Sequence, residues 1–150
     1  MFSKTAEYAM RATIFIAQKG TIDHKLGIDE IAKAIGSPQS FTAKILQMLT
    51  KGNKKIVSSA RGPHGGFYIP KQSKKLPVRA ILEAVNEEDI LTKCVLGLHQ
   101  CSEVKPCPMH SQYKPIKRQL IELFGKKTIQ NLADEVDKEN IYIKNAKSKK

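Results

Sequence analysis

Acidic residues, cysteine and long apolar runs are all scarce in this 150-residue chain, and each shortage narrows what it can do. No apolar stretch approaches the roughly 20 residues that a bilayer-spanning helix needs. The longer runs are pieces such as Ala12 to Ala17 and Ile90-Leu91. Met1-Phe2-Ser3-Lys4 leads into an amphipathic stretch with no signal core, so a cytoplasmic protein with no membrane partner is expected. Asp and Glu number 14 against 26 Lys and Arg, a formal net charge of +12. That imbalance points to a polyanionic partner such as nucleic acid. The densest acidic run, Asn86-Glu87-Glu88-Asp89, reads as a surface turn, no general acid–base pair is found, and no enzymatic activity is expected. The glycine-rich stretch Arg61-Gly62-Pro63-His64-Gly65-Gly66 lacks the Lys-Ser/Thr ending and the following helix of a phosphate-binding loop, which excludes that motif. An odd cysteine count argues against a disulfide framework and for a reducing compartment.

The three cysteines, Cys94, Cys101 and Cys107, fall within fourteen residues, with His110 close behind. Three thiolates on a loop rich in Gly, Pro and Lys can curl onto one soft metal centre, each sulfur losing its proton to bind. Six residues separate the first pair and five the second, which suits neither zinc ribbons nor zinc fingers. Iron–sulfur ligation tolerates irregular loops better. A thiol redox switch and inert cysteines are the alternative readings of the same residues.

Helical periodicity predicts a first helix over Thr5 to Gln18 that stops at Gly20, and a short second helix over Ile28 to Ile35 ended by Gly36. Ser37-Pro38 then starts a third helix, with Ser37 as cap and Pro38 as the first helical residue; Phe41, Ile45, Leu46 and Leu49 recur on one face, and Gly52 ends it. Two helices joined by a short glycine-containing turn form a helix-turn-helix, and the polar amino end of the second, Gln39, Ser40, Thr42 and Lys44, is the part that enters a major groove. Phe41 either touches a thymine methyl or packs in the core. Ile56 to Ala60 and Phe67 to Pro70 read as two strands around the glycine-rich turn, a β-hairpin wing whose glycines allow close approach to a surface. Arg61 at the wing base can reach a phosphate or a narrow minor groove, His64 lies at its tip, and Lys51, Lys54 and Lys55 are expected on phosphates. Another short helix is predicted from Val78 to Val85. Beyond the cysteines, Ile116, Leu120, Leu123 and Phe124 make an apolar stripe that needs a partner helix, and Ile129, Leu132, Ala133 and Val136 make a shorter one. The expected fold class is mainly α with a small β-hairpin: a winged helix-turn-helix domain over 1–75, a linker helix and cysteine-rich loop over 76–110, a long dimerisation helix and a following short helix over 111–140, and a basic tail over 141–150. A homodimer reading paired half-sites of double-stranded DNA follows.

This order of parts resembles the IscR/NsrR type of winged-helix transcription regulators along nearly the whole chain. The residues that carry the resemblance are Glu7-Tyr8-Ala9-Met10-Arg11, Ile31-Ala32, Ser40-Phe41, Leu46, Ile56-Val57-Ser58-Ser59 and Arg61-Gly62-Pro63-His64-Gly65-Gly66-Phe67, together with the cysteine loop and His110. The resemblance implies an operator-binding dimer, expected to repress, that carries an iron–sulfur cluster, 2Fe-2S or 4Fe-4S, and senses cluster status, nitric oxide or redox state. Cys94, Cys101 and Cys107 match its three thiolate ligands. For the fourth ligand, His110 matches the histidine of the IscR-like members, and Glu7 stands where NsrR-like members use a carboxylate from the other subunit. The first cysteine spacing is one residue longer than the common pattern, and His99 within it is a further candidate ligand. Zinc or a thiol switch at the cysteines, or an iron–sulfur assembly role, are the competing expectations.

Overall fold

Alanine puts the first helix at the centre of the molecule. In the computed structural model, which describes residues 2–51, 55–139 and 143–144 with the side chains of 137–139 excepted, α1 spans Lys4–Lys19 and buries Ala6, Ala9, Ala12, Thr13, Ile16 and Ala17. A face of methyl groups lets neighbouring backbones approach closely, and four other helices pack on α1: α2 (Ile28–Ile35), α3 (Gln39–Thr50), α5 (Arg79–Ala84) and α7 (Ile129–Glu139). Thr13, the one polar group in this face, is satisfied by donating to the Ala9 carbonyl at 2.8 Å. Ser3 caps the helix by accepting from the Ala6 N–H at 3.0 Å, and its hydroxyl donates to the Glu87 carboxylate just beyond α5. Tyr8 stands edge-on to Phe41 of α3, and Arg11 reaches the last carbonyl of α2, Ile35, at 3.2 Å while covering the Tyr8 ring. The cation at that carboxyl end also suits the helix dipole.

Gly36 ends α2 in the left-handed region, φ 72°, as the turn of the helix-turn-helix requires. The start of α3 differs from expectation. Ser37 is buried and its hydroxyl turns to the Pro38 carbonyl; Pro38 flanks the helix instead of opening it, and no side chain caps α3. The Pro38 carbonyl is occupied by Thr42, through both its N–H and its hydroxyl at 2.9 Å.

The hairpin is shorter than its apolar residues suggest. β1 (Ser58–Ala60) and β2 (Gly66–Tyr68) pair antiparallel, with Ser59 opposite Phe67. Ile56 and Val57 are fully buried, and both their N–H groups donate to the Leu49 carbonyl, so these residues close the end of α3 and do not join the ladder. The expected helix end at Gly52 lies outside the described residues, and the chain leaves α3 at Lys51. The wing glycines do approach a surface closely, but it is the protein's own. Leu26 and Phe67 exchange hydrogen bonds at 2.9 and 2.8 Å, and a Cβ on Gly66, at φ 141°, would lie 2.6 Å from the Leu26 oxygen. The wing is thereby fastened to the segment before α2.

A single helical turn, α4 (Lys71–Lys74), follows Pro70 and is held by Ser73 donating to the Lys55 carbonyl at 2.9 Å. After α5, Asn86 takes a left-handed conformation, and the acidic run continues as a 3₁₀ turn, Glu88–Leu91, that buries Ile90 and Leu91. The next regular element is α6, His110–Lys126, with Pro115 in its second turn. A short antiparallel bridge of Pro77 with Thr128, flanked by Val78 donating to Lys127 and Ile129 donating to Leu76, ties the α6–α7 connection to the start of α5. The two carboxyl-terminal stripes have different fates. Ile129 and Ala133 of α7 complete the core against α1, whereas on α6 only Phe124 is buried, stacked on Phe2 at 5.5 Å. Ile116 and Leu123 remain about half exposed, at 51% and 49%. Replacing the fully buried Ala12 by Leu is expected to force α1 from its neighbours and cost about 1–3 kcal/mol. The measurement is urea unfolding, where the midpoint falls and the slope stays unchanged.

Candidate metal centre and nucleic-acid face

Between the 3₁₀ turn and α6 the backbone makes consecutive tight turns: Gly97 donates to Cys94 at 2.9 Å, Cys101 to Leu98 at 3.4 Å and His110 to Cys107 at 3.1 Å. Gly97 supplies a left-handed step at φ 74°. These turns bring Cys94, Cys101 and Cys107, all free and half-buried, to sulfur separations within 4.8 Å, with 3.5 Å between Cys94 and Cys107. Around one tetrahedral metal ion, ligand sulfurs stand about 3.8 Å apart. The donor spacing therefore suits a bound soft metal, and two of the thiols face backbone N–H groups. The Leu96 N–H points at Cys94 and the Cys107 N–H at Cys101, both at 3.4 Å.

The thiols are not equivalent. Backbone N–H groups at Leu98 and Leu96, with help from the other two thiols, lower the Cys94 pKa to about 7. Cys101 goes the other way: the Cys107 N–H favours its thiolate, but burial and the adjoining Cys107 and Cys94 sulfurs outweigh that and raise its pKa. The gap follows from unequal backbone donors and from thiols that share one recess.

His110, the first residue of α6, turns Nδ1 to the Cys101 sulfur at 3.3 Å and Nε2 to the Glu103 carboxylate at 3.2 Å. Lys114, one turn further along α6, holds the same Glu103 oxygen at 2.6 Å. Lys114 first, and His110 second, keep the Glu103 carboxyl below the usual carboxylate range. Tyr113 and Lys117 of α6 and Val95 line the rest of the recess, and Lys117 donates to the Thr92 carbonyl at 2.9 Å. Of the other candidate ligands, His99 is exposed on the loop, and Glu7 lies on α1, paired with Lys4 at 3.3 Å. Glu103 and Lys114 escaped the sequence reading. The i, i+4 spacing of His110 and Lys114 was the available signal, since it places both on one face of α6.

On the helix-turn-helix, Gln39, Ser40, Lys44 and Lys51 are exposed along one side of α3 and its end. Arg61 and His64 are exposed in the hairpin turn, and Lys55 is exposed beneath it. Lys54 lies outside the described residues. Thr42 does not belong to this face: it is fully buried with its hydroxyl committed to Pro38, because its position on α3 coincides with the core stripe. Phe41 is half-buried against Tyr8 and faces the same way.

The chain as a whole is similar to several known proteins. The chain is 33% identical over 134 residues to a protein of Aquifex aeolicus assigned to the HTH-type transcriptional regulators, covering 88% of this chain and 90% of that one. It is 25% identical over 130 residues to the HTH-type transcriptional regulator IscR of Yersinia pseudotuberculosis, covering 87% and 77%. Among solved structures, CymR, the global cysteine regulator of B. subtilis, superposes with a TM-score of 0.71 at 19% identity, covering 89% of this chain and 96% of CymR. T. potens IscR superposes with a TM-score of 0.69 at 17% identity, covering 94% and 91%. These structures share the winged-helix fold, mainly helical with one antiparallel hairpin. Residues 2–135 match the family described as iron-dependent transcriptional regulators, and the chain belongs to it: the Rrf2 family.

Proposed function

We propose that this regulator binds an operator as a homodimer and that its hold on DNA depends on an iron–sulfur cluster at Cys94, Cys101, Cys107 and His110. The observation that carries the reading is the convergence of three sulfurs within 4.8 Å and an imidazole nitrogen 3.3 Å from one of them. Three thiolates and an imidazole make a soft donor set, suited to iron in a cluster. When bound, the cluster supplies a redox-active centre that oxygen or nitric oxide can alter. His110 is preferred over Glu7 as fourth ligand because it faces the sulfurs within its own chain, while Glu7 is engaged by Lys4. The protein's own residues carry the rest. His110 opens α6, so any change in the loop is applied directly to that helix. Ile116 and Leu123, seven residues apart on one side of α6, present an apolar face that a second copy would cover, which sets the distance between two winged helices.

In this reading residues 1–75 bind DNA, 76–110 carry the cluster and 111–140 contribute the dimer contact. Gln39, Ser40 and Lys44 lie at the major groove, Lys51 on a phosphate, and Arg61 and His64 at the flanking minor groove. Thr42 and Phe41 are withdrawn to the core. Affinity responds to the cluster only if the two states differ in their DNA contacts.

The test is an absorbance spectrum with iron and sulfide analysis on protein purified without oxygen. Visible absorption is expected in the wild type and lost in Cys101→Ala, and operator affinity should differ between loaded and metal-free protein. Equal affinity in the two states would sink the sensing role. Lys51→Ala is expected to weaken binding across sequences and reduce the salt slope of log K by about one, measured by titrating operator DNA at several salt concentrations.

A second reading, a thiol switch, is favoured by the 3.5 Å approach of Cys94 to Cys107 and by the lowered Cys94 pKa. In metal-free protein Cys94 is expected to be alkylated fastest. The rate rises with pH as the thiolate fills through about pH 7 and falls about tenfold per unit below it, read by mass spectrometry of iodoacetamide-treated peptides.

A further inference from the structure

Glu103 is an exposed loop carboxylate, yet it meets two partners on α6, His110 and Lys114. The turn that presents it is closed on both sides, by Ser102 donating to the Lys105 carbonyl and Lys105 donating to the Ser102 hydroxyl, each at 3.1 Å. An ionised carboxylate only accepts hydrogen bonds, so the His110 nitrogen facing it carries the proton. In the neutral ring the other nitrogen then holds a lone pair, and that nitrogen is Nδ1, turned to the Cys101 sulfur. We infer that Glu103 is a positioning residue that fixes the ring and protonation of His110 so that Nδ1 is its ligand atom, with Lys114 holding the carboxylate in place. The inference rests on the proposed ligand role of His110.

The bland account of the same geometry is a surface ion pair. An exposed Glu–Lys contact alone contributes little and is screened by salt. Removing it would loosen the loop without regard to His110. The two accounts separate in the conservative variant, because Glu103→Gln keeps an acceptor for Nε2–H and loses the ion pair with Lys114. A carboxylate behind a ligand histidine also raises the basicity of the ring, and loss of such a partner typically weakens metal retention on the order of ten- to a hundredfold.

The experiment uses the full chain in two forms. In metal-free, reduced protein, nitrogen-15 NMR of the histidine side chains, assigned with His110→Asn, should show a hydrogen-bonded His110 Nε2–H that exchanges slowly with water. It should persist in Glu103→Gln, exchange faster in Lys114→Met and disappear in Glu103→Ala. In anaerobically loaded protein reduced by one electron with dithionite, selective nitrogen-15 labelling of each ring position with pulsed electron paramagnetic resonance should place the strong coupling on Nδ1. Loss of iron to a ferrous chelator should quicken about tenfold or more in Glu103→Ala, and much less in Glu103→Gln. Strong coupling on Nε2, or a protected Nε2–H that survives in Glu103→Ala, overturns the inference while leaving cluster binding intact. A wild type that takes up no iron overturns the cluster reading and the ligand role assigned to Nδ1 together, whatever the metal-free spectrum shows.

Discussion

The interior depends on how closely helices can approach α1. Three alanines at Ala6, Ala9 and Ala12 leave backbone where larger side chains would stand, and α2, α3, α5 and α7 take up that space. Close packing of this kind is intolerant of added volume but also rigid, since interiors at crystal-like density transmit displacement instead of absorbing it. The helix that serves α3 through Tyr8 and Phe41 therefore also serves α5, which precedes the cysteine loop, and α7, which follows α6. The two functional regions share a wall.

That arrangement gives physical meaning to residues that lie away from both candidate surfaces. Tyr8 and Arg11 bind the helices of the helix-turn-helix to α1, one by a ring contact and the other by a hydrogen bond to the end of α2. Gly66 lets the wing backbone reach Leu26.

Much of this was legible in the sequence wherever a period governed the outcome. Ile28–Ile35 was readable to the residue because a polar start, an apolar face and Gly36 coincide. The winged helix-turn-helix was equally visible in the order of its parts. Reading failed where a backbone group chose a partner far along the chain. Ile56 and Val57 look like strand residues, but their N–H groups close α3. Ser37 looks like a cap, yet Thr42 claims the Pro38 carbonyl. α4 is one turn long and owes its place to Ser73 reaching Lys55. At the site, the cysteines and His110 were evident from type and spacing, while the contact of Glu103 with His110 spans seven positions of irregular loop and follows no period.

The unequal burial of α6 has a mechanical consequence. Seventeen residues of helix extend about 25 Å at 1.5 Å per residue. Phe124 on Phe2, with the Pro77–Thr128 bridge just beyond, clamps the far end, while His110 stands at the near end beside the sulfurs. The near end is tied to the loop, by Lys117 on Thr92 and Lys114 on Glu103, so loop and rod move together. Tilting the rod by about 10° sweeps that end through roughly 4 Å, given that length. An ångström-scale rearrangement at the sulfurs then needs only a small swing of the rod, and anything resting along the rod is carried through the same arc.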